Sequence, residues 1–165
     1  MPTVQLQFVL GRQLSSRLIA WWGQGYSGWS HVDAVLPDGR LMGARSDRVG
    51  GQPAGFYPRP PWYEGREGWL RVRRLALPVS ANVEGVWVDS LMRKNGAAYD
   101  QTDILGLIIG RPLMEQGHWI CSAAQLDTLR EIGIARRTAL TPQQCPPNML
   151  SALFEEIGAV EVPVP

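Results

Sequence analysis

Trp29-Ser30-His31-Val32-Asp33-Ala34-Val35-Leu36, then Pro37-Asp38-Gly39, then Arg40-Leu41-Met42-Gly43-Ala44 reads as a strand, a tight turn and a returning strand. Pro-Asp-Gly between two apolar-rich runs is a hairpin signal. An antiparallel hairpin centred on Asp38 pairs residues equidistant from it. Arg45 then faces His31, and Gly43 is its neighbour on the same face.

Upstream, Val4, Leu6, Phe8 and Leu10 alternate with Gln5, Gln7 and Val9, the period of a strand. Residues 15–22 suit a short helix with Leu14, Leu18, Trp21 and Trp22 on one side, and a Gly-rich connector covers 23–28. Downstream, residues 37–68 hold seven Gly and five Pro, which predicts a long irregular excursion. Excursions of this length are binding loops or surface insertions whose aromatics pack on the core, here Phe56, Tyr57, Trp62 and Tyr63. A strand over residues 69–76 follows, closed by Pro78.

Ser80 is placed to cap a helix running to about Lys94, with Val83, Val86, Trp87 and Leu91 as its apolar face and Gly96 as its stop. A short helix is expected near 102–109. Cys121 begins another, with Ala124, Thr128, Leu129 and Ile132 on one face and Gly133 at its end. Thr141-Pro142 resembles a helix start. Pro146-Pro147 opens a last helix striped by Met149, Leu150, Leu153, Phe154 and Ile157. Residues 161–165 read as a loosely held tail. Strands come first and helices later, without βαβ alternation. The expectation is an α+β fold, one domain over 1–165, with a small antiparallel sheet packed against helices.

Composition narrows the function. The 165 residues are 45% apolar and 19% charged, enough for one core without disulfide staples. Sixteen Lys+Arg against fifteen Asp+Glu give a net charge of +1, too balanced for a general nucleic-acid binder. Fifteen of the sixteen cations are Arg; the single lysine is Lys94. The longest apolar run, residues 104–109, is far shorter than the ~20 residues of a membrane helix. The N-terminal residues carry no signal-peptide pattern. A chain of the cytoplasm, or one associated with a phage particle, is expected. Two cysteines, Cys121 and Cys145, make no disulfide framework.

The chemistry centres on few residues. Cys121 stands at a helix N-terminus, where amide dipoles favour a thiolate. A nearby imidazole lowers the thiol further and serves as general base. The chain has two histidines, His31 and His118, and His31 lies on the hairpin strand. Cys145 precedes two prolines with no base beside it in sequence. Asp100 and Asp103 read as caps for the short helix before Cys121.

The run Tyr26-Ser27-Gly28-Trp29-Ser30-His31-Val32-Asp33 with its hairpin, then Tyr99-Asp100, then Trp119-Ile120-Cys121-Ser122, resembles the circularly permuted NlpC-type papain-like superfamily, with His before Cys. That superfamily includes peptidoglycan amidohydrolases and lecithin:retinol acyltransferase-like enzymes. The resemblance spans about 28–132. It implies a papain-like fold in which Cys121 attacks an amide or ester carbonyl and His31 handles the proton. No cofactor is implied. The substrate would be a peptide, amide or ester, peptidoglycan stem peptides among them, with Tyr99, Trp29 and Trp119 lining the cleft.

The family places a polar residue on the strand after the histidine to orient the imidazole. Here that position is Arg45, which has no acceptor for an imidazole N–H. Asp33, two residues along from His31 on the same face, is one substitute, and Asp47 is another. Asp33 equally suits an ordinary cross-strand pair with Arg45. Two other functional classes follow from the same residues. One is a catalytically silent binding or virion module of this fold. The other is a zinc site assembled from His31, Asp33, His118 and Cys121. An acyltransferase uses the same thiol with an acceptor other than water.

Overall fold

The computed structural model describes residues 1–13, 16–17, 20, 28–100, 118–136, 138–142 and 145–165. The expected helix over 15–22, the connector over 23–28, the helix near 102–109 and Asp103 fall largely or wholly outside them.

The fold is α+β. Among the described residues the strands are β1 (Thr3–Gly11), β2 (His31–Val35), β3 (Leu41–Arg45), β4 (Gly55–Arg59), β5 (Trp69–Pro78), β6 (Ala98–Tyr99), β7 (His118–Trp119) and β8 (Val160–Val162). The longer helices among them are α1 (Ala81–Arg93), α2 (Cys121–Glu131) and α3 (Pro147–Glu156). Six strands form one antiparallel sheet in the order β4-β3-β2-β1-β5-β8. The short β6 and β7 pair in parallel beside it.

The β2–β3 hairpin forms as its sequence dictates. Gly39 takes a φ of 84°, a conformation that favours glycine. Its N–H donates to Leu36 O at 2.8 Å, and Asp38 Oδ1 accepts the Arg40 N–H at 3.0 Å. Ala34 pairs with Met42 and Val35 with Leu41. That register, carried back along β2, sets Gly43 opposite Asp33 and Arg45 opposite His31.

Strand alternation divides the sheet into two faces. Leu6, Phe8, Val32, Ala34, Met42, Ala44 and Leu75 share one face and pack with Trp87, Leu91, Leu126, Leu129, Leu150 and Phe154 of the helices. The other face carries Val9, Val35, Leu41 and Trp69, against which Trp62 and Tyr63 pack. Asp33 projects on this second face, over Gly43.

Helix α1 starts where expected: Ser80 Oγ accepts the Val83 N–H at 3.3 Å. Helix α3 opens on Pro147 as read from the double proline. Two edge strands depart from the expectation. β4 lies inside the predicted excursion and tolerates Pro58 because it is an edge strand. β8 lies in the predicted loose tail and completes the opposite edge by pairing with β5.

The rest of the excursion is organised by a single side chain. Arg59 is 1% exposed, and no carboxylate partners it among the described residues. Its guanidinium instead donates to five backbone carbonyls: Gly43 at 2.8 Å, Pro53 at 3.0, Tyr57 at 3.1, Gly55 at 3.2 and Val49 at 3.3. Five fixed donors suit this task as no other side chain does. Arg59→Met leaves those carbonyls short of donors in a buried setting. Urea denaturation should show a loss of about 3 kcal/mol; a change below ~0.5 kcal/mol would refute the role.

Candidate active site

Helix α2 begins at Cys121 after Ile120, which carries the extended backbone of an N-cap. The first N–H groups of a helix have no intrahelical acceptor, so their dipoles converge near Sγ. Two α2 side chains one turn apart engage the backbone of the hairpin. Sγ of Cys121 takes the Val32 N–H, and Gln125 Nε2 donates to Met42 O at 2.9 Å. Backbone donors and acceptors of a strand lie in the sheet plane, so the helix N-terminus is keyed into the seam between β2 and β3.

His31 is 7% exposed, Cys121 7% and Asp33 1%. His31 Nε2 is 2.8 Å from Asp33 Oδ1, and the imidazole also hydrogen-bonds the Cys121 thiol. With Nε2 held by the carboxylate, Nδ1 is the ring nitrogen left for sulfur. Asp33 Oδ2 accepts the Tyr63 hydroxyl at 2.8 Å. The result is a buried chain of four side chains: Tyr63, Asp33, His31, Cys121.

Protonation follows from this packing. Burial opposes a charged imidazole, but the Asp33 carboxylate and the Cys121 sulfur outweigh it and lift His31 to about 9. Burial also raises a thiol, yet the charge and hydrogen bond of His31 and the Val32 N–H hold Cys121 below its ordinary value. Asp33 is kept below the usual carboxylate range against its burial, by His31 and then Tyr63. His31 therefore holds its proton through neutrality, Asp33 is ionised, and Cys121 is shifted toward the thiolate. Cys145 shows the contrast. Among the described residues no base stands beside it, and its thiol is pushed up to about 12 by burial.

The other residues singled out in the sequence fall as follows. Asp47 pairs with Arg45, at 3.0 and 3.3 Å, and not with the imidazole. Arg45 also bonds Glu64, so the expected Asp33–Arg45 cross-strand pair gives way to Asp33–His31. Tyr99 and Trp119 are half-buried side by side on β6 and β7. Burial and the sulfur of Cys121 both raise the Tyr99 hydroxyl. Lys94 Nζ lies 5.4 Å from the Trp119 ring centre. Trp29 is a core residue against Phe8, with ring centres 6.3 Å apart, and the Arg71 guanidinium lies 4.7 Å from its ring centre. Asp100 is buried, and its N–H donates to Trp119 O at 3.1 Å. Among the described residues no three His, Cys, Asp or Glu side chains converge as a metal site. No helix among them is long and apolar enough to cross a membrane.

Tyr63, Gln125 and the Val32 N–H were not marked by the sequence. Gly43 was marked only as a register position. Its importance is spatial. A Cβ there would collide with Asp33 Oδ1 and lie 3.1 Å from both Asp33 Cγ and Val32 O. The absent side chain is the space the carboxylate occupies.

No known protein family matches the chain, and no curated protein matches it.

Proposed function

We propose that the chain is a cysteine-dependent acyl-transfer enzyme of the permuted papain-like type, acting on an amide or ester carbonyl. The observation that carries this reading is the buried Cys121–His31–Asp33 chain with its sulfur at a helix N-terminus. The chain order, histidine strand before cysteine helix, supports the permuted form.

The thiolate of Cys121 attacks the carbonyl carbon, and the Cys121 N–H is positioned to receive the oxyanion. As the tetrahedral intermediate collapses, the C–N or C–O bond breaks, and the His31 imidazolium gives its proton to the leaving group. A thioester remains on Cys121. Neutral His31 then takes a proton from water as its oxygen attacks the thioester. The carboxylic acid leaves and the thiolate–imidazolium pair is restored. An amine or alcohol in place of water gives the transferase outcome with the same residues. Asp33 holds the imidazole orientation throughout and balances its positive charge. Arg45 in the third position is what raises a silent module as the alternative; Asp33 supplies the acceptor that Arg45 lacks.

The test is the rate of Cys121 alkylation by iodoacetamide against pH, read by mass spectrometry, beside hydrolysis of stem-peptide amides. The alkylation midpoint should fall well below the ~8.5 of a free thiol. Hydrolysis should rise with that ionisation and fall again as His31 loses its proton near pH 9. Cys121→Ala should abolish hydrolysis. An alkylation midpoint at the free-thiol value would defeat the reading.

A further inference from the structure

We infer that Tyr63 is a positioning residue of this site, fixing Asp33 so that its Oδ1 stays on the imidazole. The inference rests on the reading of Cys121 and His31 as a reactive pair and extends it to the segment between β4 and β5.

A carboxylate two residues from its histidine on an open strand face is free to rotate about χ1 and χ2. Here that freedom is removed from three sides. Gly43 leaves a slot beside Oδ1, His31 Nε2 holds Oδ1, and the Tyr63 hydroxyl holds Oδ2 at 2.8 Å. Among the described residues no other donor to Asp33 side-chain oxygens is seen. Losing the hydroxyl leaves Oδ2 buried without a donor, which favours a turned or protonated Asp33.

Tyr63 is itself held on every side. Its ring meets Trp69 edge-on at 5.6 Å, with the Arg45 guanidinium 5.5 Å and the Arg59 guanidinium 5.9 Å from its centre. The next residue, Glu64, bonds both Arg45 and Trp69 Nε1. The titratable and charged groups facing the Asp33–Tyr63 pair are therefore His31 on β2, Arg45 on β3, Asp47 just beyond it, Arg59 on β4, and Glu64. Burial and Asp33 keep the phenol protonated well past neutral pH, so it remains a donor wherever the site works.

Tyr63 thus ties the segment between β4 and β5 to the orienting end of the site.

The test compares the pH profile of Cys121 alkylation in wild type, Tyr63→Phe and Asp33→Asn, with circular dichroism as the check on folding. Phenylalanine keeps the ring contacts and removes only the donor. The expected result is a midpoint in Tyr63→Phe shifted up from wild type in the same direction as in Asp33→Asn, with the double variant no higher than Asp33→Asn alone. A Tyr63→Phe midpoint equal to wild type, while Asp33→Asn moves it, overturns this inference and leaves the Cys–His pair standing. A wild-type midpoint at the free-thiol value overturns the pair itself. If Tyr63→Phe does not fold, Tyr63→Met, which also lacks the donor, is read in the same way. A Tyr63→Met midpoint shifted up with Asp33→Asn supports the role, and one equal to wild type overturns it.

Discussion

His31→Ala should retain the wild-type fold and lose about a thousandfold in turnover on any substrate that the wild type cleaves. Removal of a general acid–base group costs on the order of 10²–10⁴, and His31 is placed to serve twice, as acid for the leaving group and as base for water. The same substitution removes the charge that holds the thiolate. A thiol near ~8.5 is about 0.3% ionised at pH 6, so alkylation at that pH should fall more than tenfold. Burial acts in the same direction: without the imidazolium, Cys121 keeps the penalty that burial imposes and loses its largest compensation. The alkaline limb near pH 9 should vanish with the residue that titrates there. Turnover within tenfold of wild type, or an unmoved alkylation midpoint, would show that His31 is a bystander.

Gly43→Ala should disrupt the site directly, because its methyl group meets Asp33 itself. The added carbon clashes with Asp33 Oδ1 and lies 3.1 Å from Val32 O, a backbone atom that has little room to retreat. Overpacking of this kind costs about 1–3 kcal/mol. The local consequence is larger than the global one. Asp33 must leave its slot, giving up His31 and Tyr63 together, so the alkylation midpoint should rise at least as far as in Asp33→Asn. Gly85→Ala is the matched control. It lies mid-helix in α1 with open space around it, and the change should stabilise by up to about 1 kcal/mol. If Gly43→Ala melts with wild type and keeps a depressed thiol, the slot has no role.

What the sequence disclosed is what local rules govern. The Pro37-Asp38-Gly39 turn fixed the hairpin register and with it the relation of Asp33, Gly43 and Arg45 to His31. Ser80, Pro147 and the placement of Cys121 marked helix starts, because capping depends on a few adjacent residues. The edge strands β4 and β8 stayed hidden: Gly55 and Pro58 argue against a strand in isolation, and Val160–Val162 is too short to show a period. Tyr63 stayed hidden for a different reason. It stands 30 residues from Asp33, in a segment shaped by Arg59 donating to main-chain carbonyls. No periodicity records such a contact. The choice between Asp33 and Asp47 was likewise open in sequence, and it turns on Arg45, which takes Asp47 and Glu64 as partners.

His31 and Asp33 share one strand, two residues apart, and this has a mechanical consequence. Their separation is set by covalent geometry, about 6.6 Å of strand rise, and not by the ladder between β2 and β3. An acceptor on the neighbouring strand would be carried away whenever the ladder sheared or breathed. Here the same motion changes how far the sulfur, wedged at the seam by α2, stands from the ring, while the ring and its acceptor travel together. The imidazole and its acceptor thus stay within reach of each other through any excursion of the seam, and Tyr63 and the Gly43 slot set the carboxylate's turn.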